Sequence, residues 1–179
     1  MARWQGLYEE LTTTRYAALL GYATALTGQR ATAQDLVSEA LLKTFASPRR
    51  LASAAQAESQ VRTAIASIYV DDSRRSKLID RTASRLGWDG TPASAATLDL
   101  DPVNAALAEL SPKVRACVVM RHYDDLTAAQ IADRLGMKHG NVKRYLYEGA
   151  QALRVTLGTS DEGDEPEAVA VVVHKGGSR

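Results

Sequence analysis

The residues whose spacing carries the most chemistry lie between Thr127 and Arg154, in the stretch TAAQIADRLGMKHGNVKRYLYEGAQALR. Ala132, Gly136 and Val142 stand at the offsets of a helix-turn-helix. A small residue lets two helices approach, a glycine makes the turn, and a branched apolar residue anchors the second helix. Such a unit presents the start of its second helix to a DNA major groove. The residues expected there are Lys138, His139, Asn141, Lys143, Arg144 and Tyr147. Asparagine can read adenine bidentately, lysine or arginine can read guanine, and the remainder hold phosphates. An ordinary helical hairpin with a solvated basic face has a similar composition. The three core offsets, both caps and the basic helix start favour the helix-turn-helix.

Further candidates are fewer. On a helix expected over residues 33–46, Asp35, Ser38, Glu39 and Leu42 form a mixed polar and apolar strip beside the buried face. Such a strip suits docking onto another helix pair, and equally a plain solvated face. Arg74, Arg75 and Lys77 close the next helix, where cations either complement the helix dipole or hold nucleic acid. His122, His139 and His174 are too scattered for a metal site. Cys117 is the only cysteine, so no intramolecular disulfide or cysteine-clustered metal site can form, and it reads as core. Asp71-Asp72 and Asp124-Asp125 have no histidine, nucleophile or glycine-rich loop beside them, and the second pair reads as a turn. No enzyme, metal or cofactor is expected.

The elements that must position these residues read as all-α. The 179 residues suffice for one ordinary domain or two small ones, and 30 alanines with only 6% aromatics favour helices over sheets. One helix is expected from Trp4 to Leu26, stopped by Gly28-Gln29-Arg30. A capping box at Thr32–Asp35 then opens a second helix to Ala46, and a third spans Glu58 to Lys77. Between residues 80 and 100 the pattern dissolves into Gly, Ser, Thr-Pro and short Ala runs, a flexible linker. Asp101-Pro102 and Ser111-Pro112 each place an N-cap before a proline, with Val103, Leu107 and Leu110 as one stripe and Val114, Cys117 and Val118 as the next. Thr127–Gln130 forms a capping box for a helix closed by Gly136, and a last helix runs from Gly140 to Leu157. Net charge is +2 over residues 1–80, zero over 81–100, +2 over 101–157 and −3 over 158–179, so an acidic tail masks a mildly basic body. No apolar run reaches the roughly 18 residues of a membrane span, and Met1–Trp4 opens no signal peptide. A soluble, cytoplasmic protein without membrane insertion is expected.

In order and separation, the two halves from Leu7 to Leu157 resemble a bacterial sigma factor of the extracytoplasmic-function type, of actinobacterial character. LTGQRATAQDLVSEALLKTF resembles the stretch that docks on the β′ clamp helices of core RNA polymerase. AESQVRTAIASIYVDDSRR resembles the helix that meets the melted strand of the minus-ten element. LAELSPKVRACVVMRHYDDLTAAQIADRLGMKHGNVKRYLYEGAQALR resembles the domain that reads the minus-thirty-five element beside the β flap. The resemblance implies two small helical domains, a region 2-like bundle over 1–80 and a region 4-like helix-turn-helix domain over 101–157. The flexible linker is 81–100, and 158–179 is a disordered acidic, valine-rich tail. It places Asp35, Ser38, Glu39 and Leu42 at polymerase-docking positions. Ala46 to Gln60, with Arg49 and Arg50, becomes a loop that captures a flipped base. Arg62, Ser67, Asp71, Arg74 and Arg75 fall along the strand-binding helix, and Lys138, His139, Asn141, Lys143, Arg144 and Tyr147 on the duplex-reading one.

The expected partners are core polymerase, promoter DNA and an anti-sigma factor. Two elements about 1.5 turns apart lie about 50 Å from one another, and a 20-residue linker reaches about 70 Å when extended. The chain departs from the family at Ser38 for a longer glutamine, Gln60 for tryptophan, Ser67 for asparagine and Asp72 for tyrosine. Lys138 replaces a serine N-cap, and Glu148 a basic residue. Fewer stacking groups imply weak unaided melting and a near-consensus promoter. The rival reading is an autonomous helix-turn-helix regulator whose first half dimerises or senses a ligand. A third is an interaction protein whose Glu148 and acidic tail defeat DNA contact. The valine run Val171–Val173 could also add to a partner as a strand, with Asp161–Glu167 shielding basic surface. Deleting 159–179 then raises DNA affinity; unchanged binding excludes that role.

Overall fold

In the computed structural model the described residues are 3–47, 51–85 and 102–158. Eight helices run through them: α1 Arg3–Thr13, α2 Tyr16–Thr27, α3 Arg30–Phe45, α4 Ala54–Arg85, α5 Pro102–Ala108, α6 Pro112–Tyr123, α7 Ala128–Leu135 and α8 His139–Leu157. The calls on Arg49, Arg50, Asp101, the linker beyond Arg85 and the tail beyond Gly158 lie outside the described residues.

The single helix expected over Trp4–Leu26 is broken at Thr14-Arg15. Thr12 Oγ1 donates to the carbonyls of Tyr8 (2.9 Å) and Glu9 (3.1 Å), and Thr13 Oγ1 to Glu9 (2.7 Å). Threonines that bond backward to the preceding turn compete with helix continuation. Arg15 is then drawn aside into ion pairs with Glu10 and Glu58. Gly28 ends α2 as the sequence suggests, in the left-handed conformation at φ 72°, its N–H donating to Thr24 O at 2.8 Å.

The capping box expected at Thr32–Asp35 does not form. Helix α3 starts three residues earlier, at Arg30 with Gln29 as N-cap, and the Thr32 hydroxyl faces the Gln29 side chain instead. Helix α4 extends beyond both expected ends. Its start is set by Ser53, whose Oγ accepts from Gln56 N at 3.2 Å while Gln56 Oε1 accepts from Ala52 N at 2.7 Å. Its end runs to Arg85, five residues into the stretch read as linker.

In the second half the punctuation holds more closely. Pro112 follows Ser111 at the start of α6, although the Ser111 hydroxyl makes no capping bond. Thr127 makes the full capping box with Gln130, and Gly136 closes α7 at φ 60°. Thr127→Ala therefore lowers stability by about 1 kcal/mol, read from the urea midpoint, whereas Ser111→Ala shifts it little.

Leu11, Leu19, Tyr22, Leu26, Val37, Val61 and Ile65 fill the first half, and Leu107, Val114, Cys117, Ile131 and Val142 the second. Val103, expected on an apolar stripe, is 45% exposed. Burial pushes the Cys117 thiol up to about 12, so it stays protonated and acts as core.

The two halves pack against each other along α2 and α4 of the first and α5, α6 and α7 of the second. Arg115 Nη1 donates to Leu26 O at 2.7 Å, across the end of α2. Arg62 donates to Asp124 Oδ1 at 2.9 Å and to Glu58 at 2.7 Å. Tyr22 and Tyr123 meet edge to face at 5.8 Å.

Candidate nucleic-acid interface

Three short signals build the surface expected to meet duplex DNA. Ala132, 7% exposed, lets α7 approach α8; Gly136 makes the turn; and Val142, fully buried, fixes the roll of α8. Lys138, His139, Asn141, Lys143, Arg144 and Tyr147 all emerge on solvent from the first turns of α8. The structure thus brings the whole expected set onto one exposed helix start. Lys138 is the N-cap by its backbone, with no side-chain cap bond. Its ammonium gives up capping, worth about 1 kcal/mol for a serine there, and adds a cation.

Arg144 is held within its own helix. Its Nε lies 3.6 Å from Glu148 Oε1, and the guanidinium stands 5.1 Å from the Tyr145 ring centroid. Glu148→Gln frees it and removes a negative charge from the face that would meet phosphate. Duplex affinity then rises about two- to five-fold and the salt slope steepens by about one. A salt titration of duplex binding checks both.

On α3, Asp35, Ser38, Glu39 and Leu42 form one exposed strip, with Leu42 71% exposed. The Ser38 hydroxyl donates to Gln34 O at 2.9 Å. Beside the strip lies a shallow groove of about 350 Å³ lined by Tyr8, Thr12, Tyr16, Ser38, Leu41 and Leu42. The sequence reading missed the tyrosines of this groove, because they come from helices on either side of the unexpected break.

The residues assigned to the melted strand divide. Ser67 lines a cleft of about 530 Å³ between α3 and α4, with Lys43, Gln56, Gln60, Thr63 and Arg134 among its walls. Asp71 and Arg74 continue along the same face, 3.6 Å apart, and Arg75 lies 3.9 Å from Asp72. Arg62 is elsewhere: five residues before Ser67, it points about 140° around the helix into the ion pairs with Glu58 and Asp124. Lys43, Thr63 and Arg134 were missed. Gln60, Ala64 and Ser67 at helical spacing were the signal for the α4 wall, whereas nothing local marks Arg134.

Burial alone raises the Glu58 carboxyl, but hydrogen bonds and charge from Arg15 and Arg62 outweigh it and hold it below its usual range. Burial, with Asp124 adding to it, raises the Tyr22 phenol well above its usual range. Among the described residues no group of three or more His, Cys, Asp or Glu is placed to hold a metal ion. No described helix is long and apolar enough to cross a membrane.

Residues 100–153 match the family described as Sigma-70, region 4. The ECF RNA polymerase sigma factor SigL of Mycobacterium tuberculosis is 33% identical over 162 residues, covering 87% of this chain and 89% of that protein. The RNA polymerase sigma-E factor of Streptomyces antibioticus is 30% identical over 158 residues, covering 86% of each. The fold is similar to that of the sigma factor RpoE from Bartonella quintana, solved in complex with the anti-sigma factor NepR. The TM-score is 0.60 at 21% identity, over 86% of this chain and 97% of that one. Helix-turn-helix and relatives together define a promoter-recognition factor of transcription initiation. Within that class the chain belongs to the ECF RNA polymerase sigma factors.

Proposed function

We propose that this chain brings core RNA polymerase to promoters with a separate surface for each contact. Residues 1–80 form the polymerase-docking unit, with Asp35, Ser38, Glu39 and Leu42 on the β′ clamp helices. The cleft at Ser67, with Asp71, Arg74 and Arg75 beyond it and Arg49 and Arg50 ahead of it in the sequence, takes the melted minus-ten strand. Residues 101–157 read the minus-thirty-five duplex through Lys138, His139, Asn141, Lys143, Arg144 and Tyr147 beside the β flap. Segment 81–100, the first five residues of which continue α4, spans the two. The observation that carries this reading is the completed helix-turn-helix core, over which all six expected contact residues of α8 stand exposed.

The chain carries no catalysis of its own and works in the cytoplasm, where polymerase and promoters are. An anti-sigma factor is its regulator by analogy with the RpoE–NepR complex. An autonomous regulator is less favoured, because the similarity to SigL runs through both halves. Gel filtration with bacterial core polymerase tests the two. Co-elution at micromolar concentration supports the sigma reading, whereas separate elution with tight binding to a symmetric duplex supports the regulator.

A further inference from the structure

We propose that the acidic segment Asp161–Glu167 lies back along α8 and occupies the face assigned to upstream duplex, so that DNA must displace it. The inference rests on the proposed reading role of α8 and adds a competitor carried by the chain itself. The segment reads DEGDEPE, five carboxylates in seven positions with no cation among them. Runs of like charge beside a folded unit act as interaction segments. The start of α8 is the complementary surface, with Lys138, Lys143 and Arg144 all standing on solvent. Among the described residues, Arg144 has Glu148 3.6 Å away, whereas Lys138 and Lys143 have no carboxylate partner.

Reach and direction both favour the contact. Gly158 closes α8 in the left-handed conformation at φ 63°, its N–H donating to Arg154 O at 3.1 Å. A left-handed cap turns the chain off the helix axis instead of prolonging it. Only Thr159 and Ser160 then precede the first acid. Measured back from Gly158, Arg144 and Lys143 lie about 21 and 22 Å along the helix and Lys138 about 30 Å, at about 1.5 Å per residue. An extended chain covers about 3.4 Å per residue, which carries Asp161 about 10 Å and Glu167 about 30 Å from the same point. The acids therefore span the distances at which the cations stand. The other exposed basic pair, Arg74 and Arg75 on α4, has aspartates of its own at 3.6 and 3.9 Å.

The segment sets a threshold for DNA and does not block it. A short tether holds it near α8 at an effective concentration on the order of millimolar. Single exposed ion pairs contribute little, but several carboxylates facing one cation cluster act together. Duplex DNA offers a denser row of charge, about one phosphate per 1.7 Å of axis. It also offers base edges to Asn141, which carboxylates do not replace. Sequence-specific duplex therefore wins, at a cost that depends on salt. Screening shortens to about 10 Å at 0.1 M salt and further above it, so the competition fades as salt rises.

The test uses the full chain and a full-length variant with the five acids made neutral, Asp161→Asn/Glu162→Gln/Asp164→Asn/Glu165→Gln/Glu167→Gln. At about 50 mM salt the variant should bind an upstream-element duplex about three- to ten-fold more tightly, and at about 300 mM less than two-fold. Removing negative charge also lessens long-range repulsion from DNA, so contact is read separately. A nitroxide on Gly163→Cys keeps all five acids, and the buried Cys117 thiol, held protonated, stays unlabelled. In nuclear magnetic resonance spectra the label should broaden the backbone amides of Lys143, Arg144 and Tyr147, and added duplex should restore them. Broadening absent from α8, or confined to Arg74 and Arg75, overturns the inference whatever the affinities. So does broadening on α8 with unchanged duplex affinity in the neutral variant. Should neither chain bind duplex while the contact persists, the reading role of α8 fails, and the competition fails with it.

Discussion

Reversing the two acids on α3, as Asp35→Arg/Glu39→Arg, abolishes binding to core polymerase and leaves the chain folded. Both side chains stand on solvent one turn apart, with Ser38 between them and Leu42 one turn on. Leu42 is 71% exposed, an apolar side chain that a docked partner would cover. Exposed substitutions away from caps and ion pairs change stability by about 0.5 kcal/mol or less. Like charges brought together across an interface cost several kcal/mol, so two reversals weaken docking by at least about 100-fold. Fluorescence anisotropy of labelled chain against core polymerase measures the loss, and circular dichroism checks the fold. Upstream duplex binding by α8 should be unaffected, which separates docking from DNA reading.

The second large effect is at Gly149, on the buried side of α8. A Cβ built there lies 2.3 Å from Val118 Cγ2 and 3.1 Å from Val114 Cγ1, both on α6. Valine is stiff about its first side-chain torsion and already packed, so neither neighbour can swing away cheaply. Gly149→Ala should cost about 2 kcal/mol and Gly149→Val about 3 kcal/mol or more, in the range of overpacked cores. The six residues proposed to read DNA stand on that helix or at its N-cap, so tilting α8 off α6 would displace them together. Thermal denaturation followed by duplex binding reads both effects. Val118→Ala in the Gly149→Ala background should recover part of the stability, a coupling that independent sites would not show.

Gly149 also shows what was legible beforehand. A glycine inside a helix costs about 1 kcal/mol relative to alanine, so its presence in α8 was a signal of close approach, and it went unused. Thr127, Gln130, Gly136 and Val142 were readable because capping, turn and anchor are local devices within sixteen residues of one another. The break at Thr14-Arg15 and the early start of α3 were not. Backward-bonding threonines suit helix and break alike, and Gln29 caps by its backbone alone. The Ser53–Gln56 start of α4 was present in the sequence in the same form as Thr127–Gln130, whereas the apolar stripe from Val61 pointed to a start at Glu58. The exposed strip on α3 followed from helical spacing. The contacts between the halves did not, because Arg62 and Asp124 are 62 residues apart and Arg115 and Leu26 are 89 apart. Asp124 read only as part of a turn, which it is, with Asp125 at φ 51° beside it. Its second role as acceptor for Arg62 depends on how the halves pack.

The most direct test of the central claim is run-off transcription from a promoter library with purified chain and bacterial core polymerase, each also assayed alone. The account predicts initiation only in the mixture, from templates sharing two elements about 1.5 helical turns apart, and its loss with Asp35→Arg/Glu39→Arg. Templates that initiate with core polymerase alone, or a mixture that stays silent while the chain grips a symmetric duplex unaided, would contradict it.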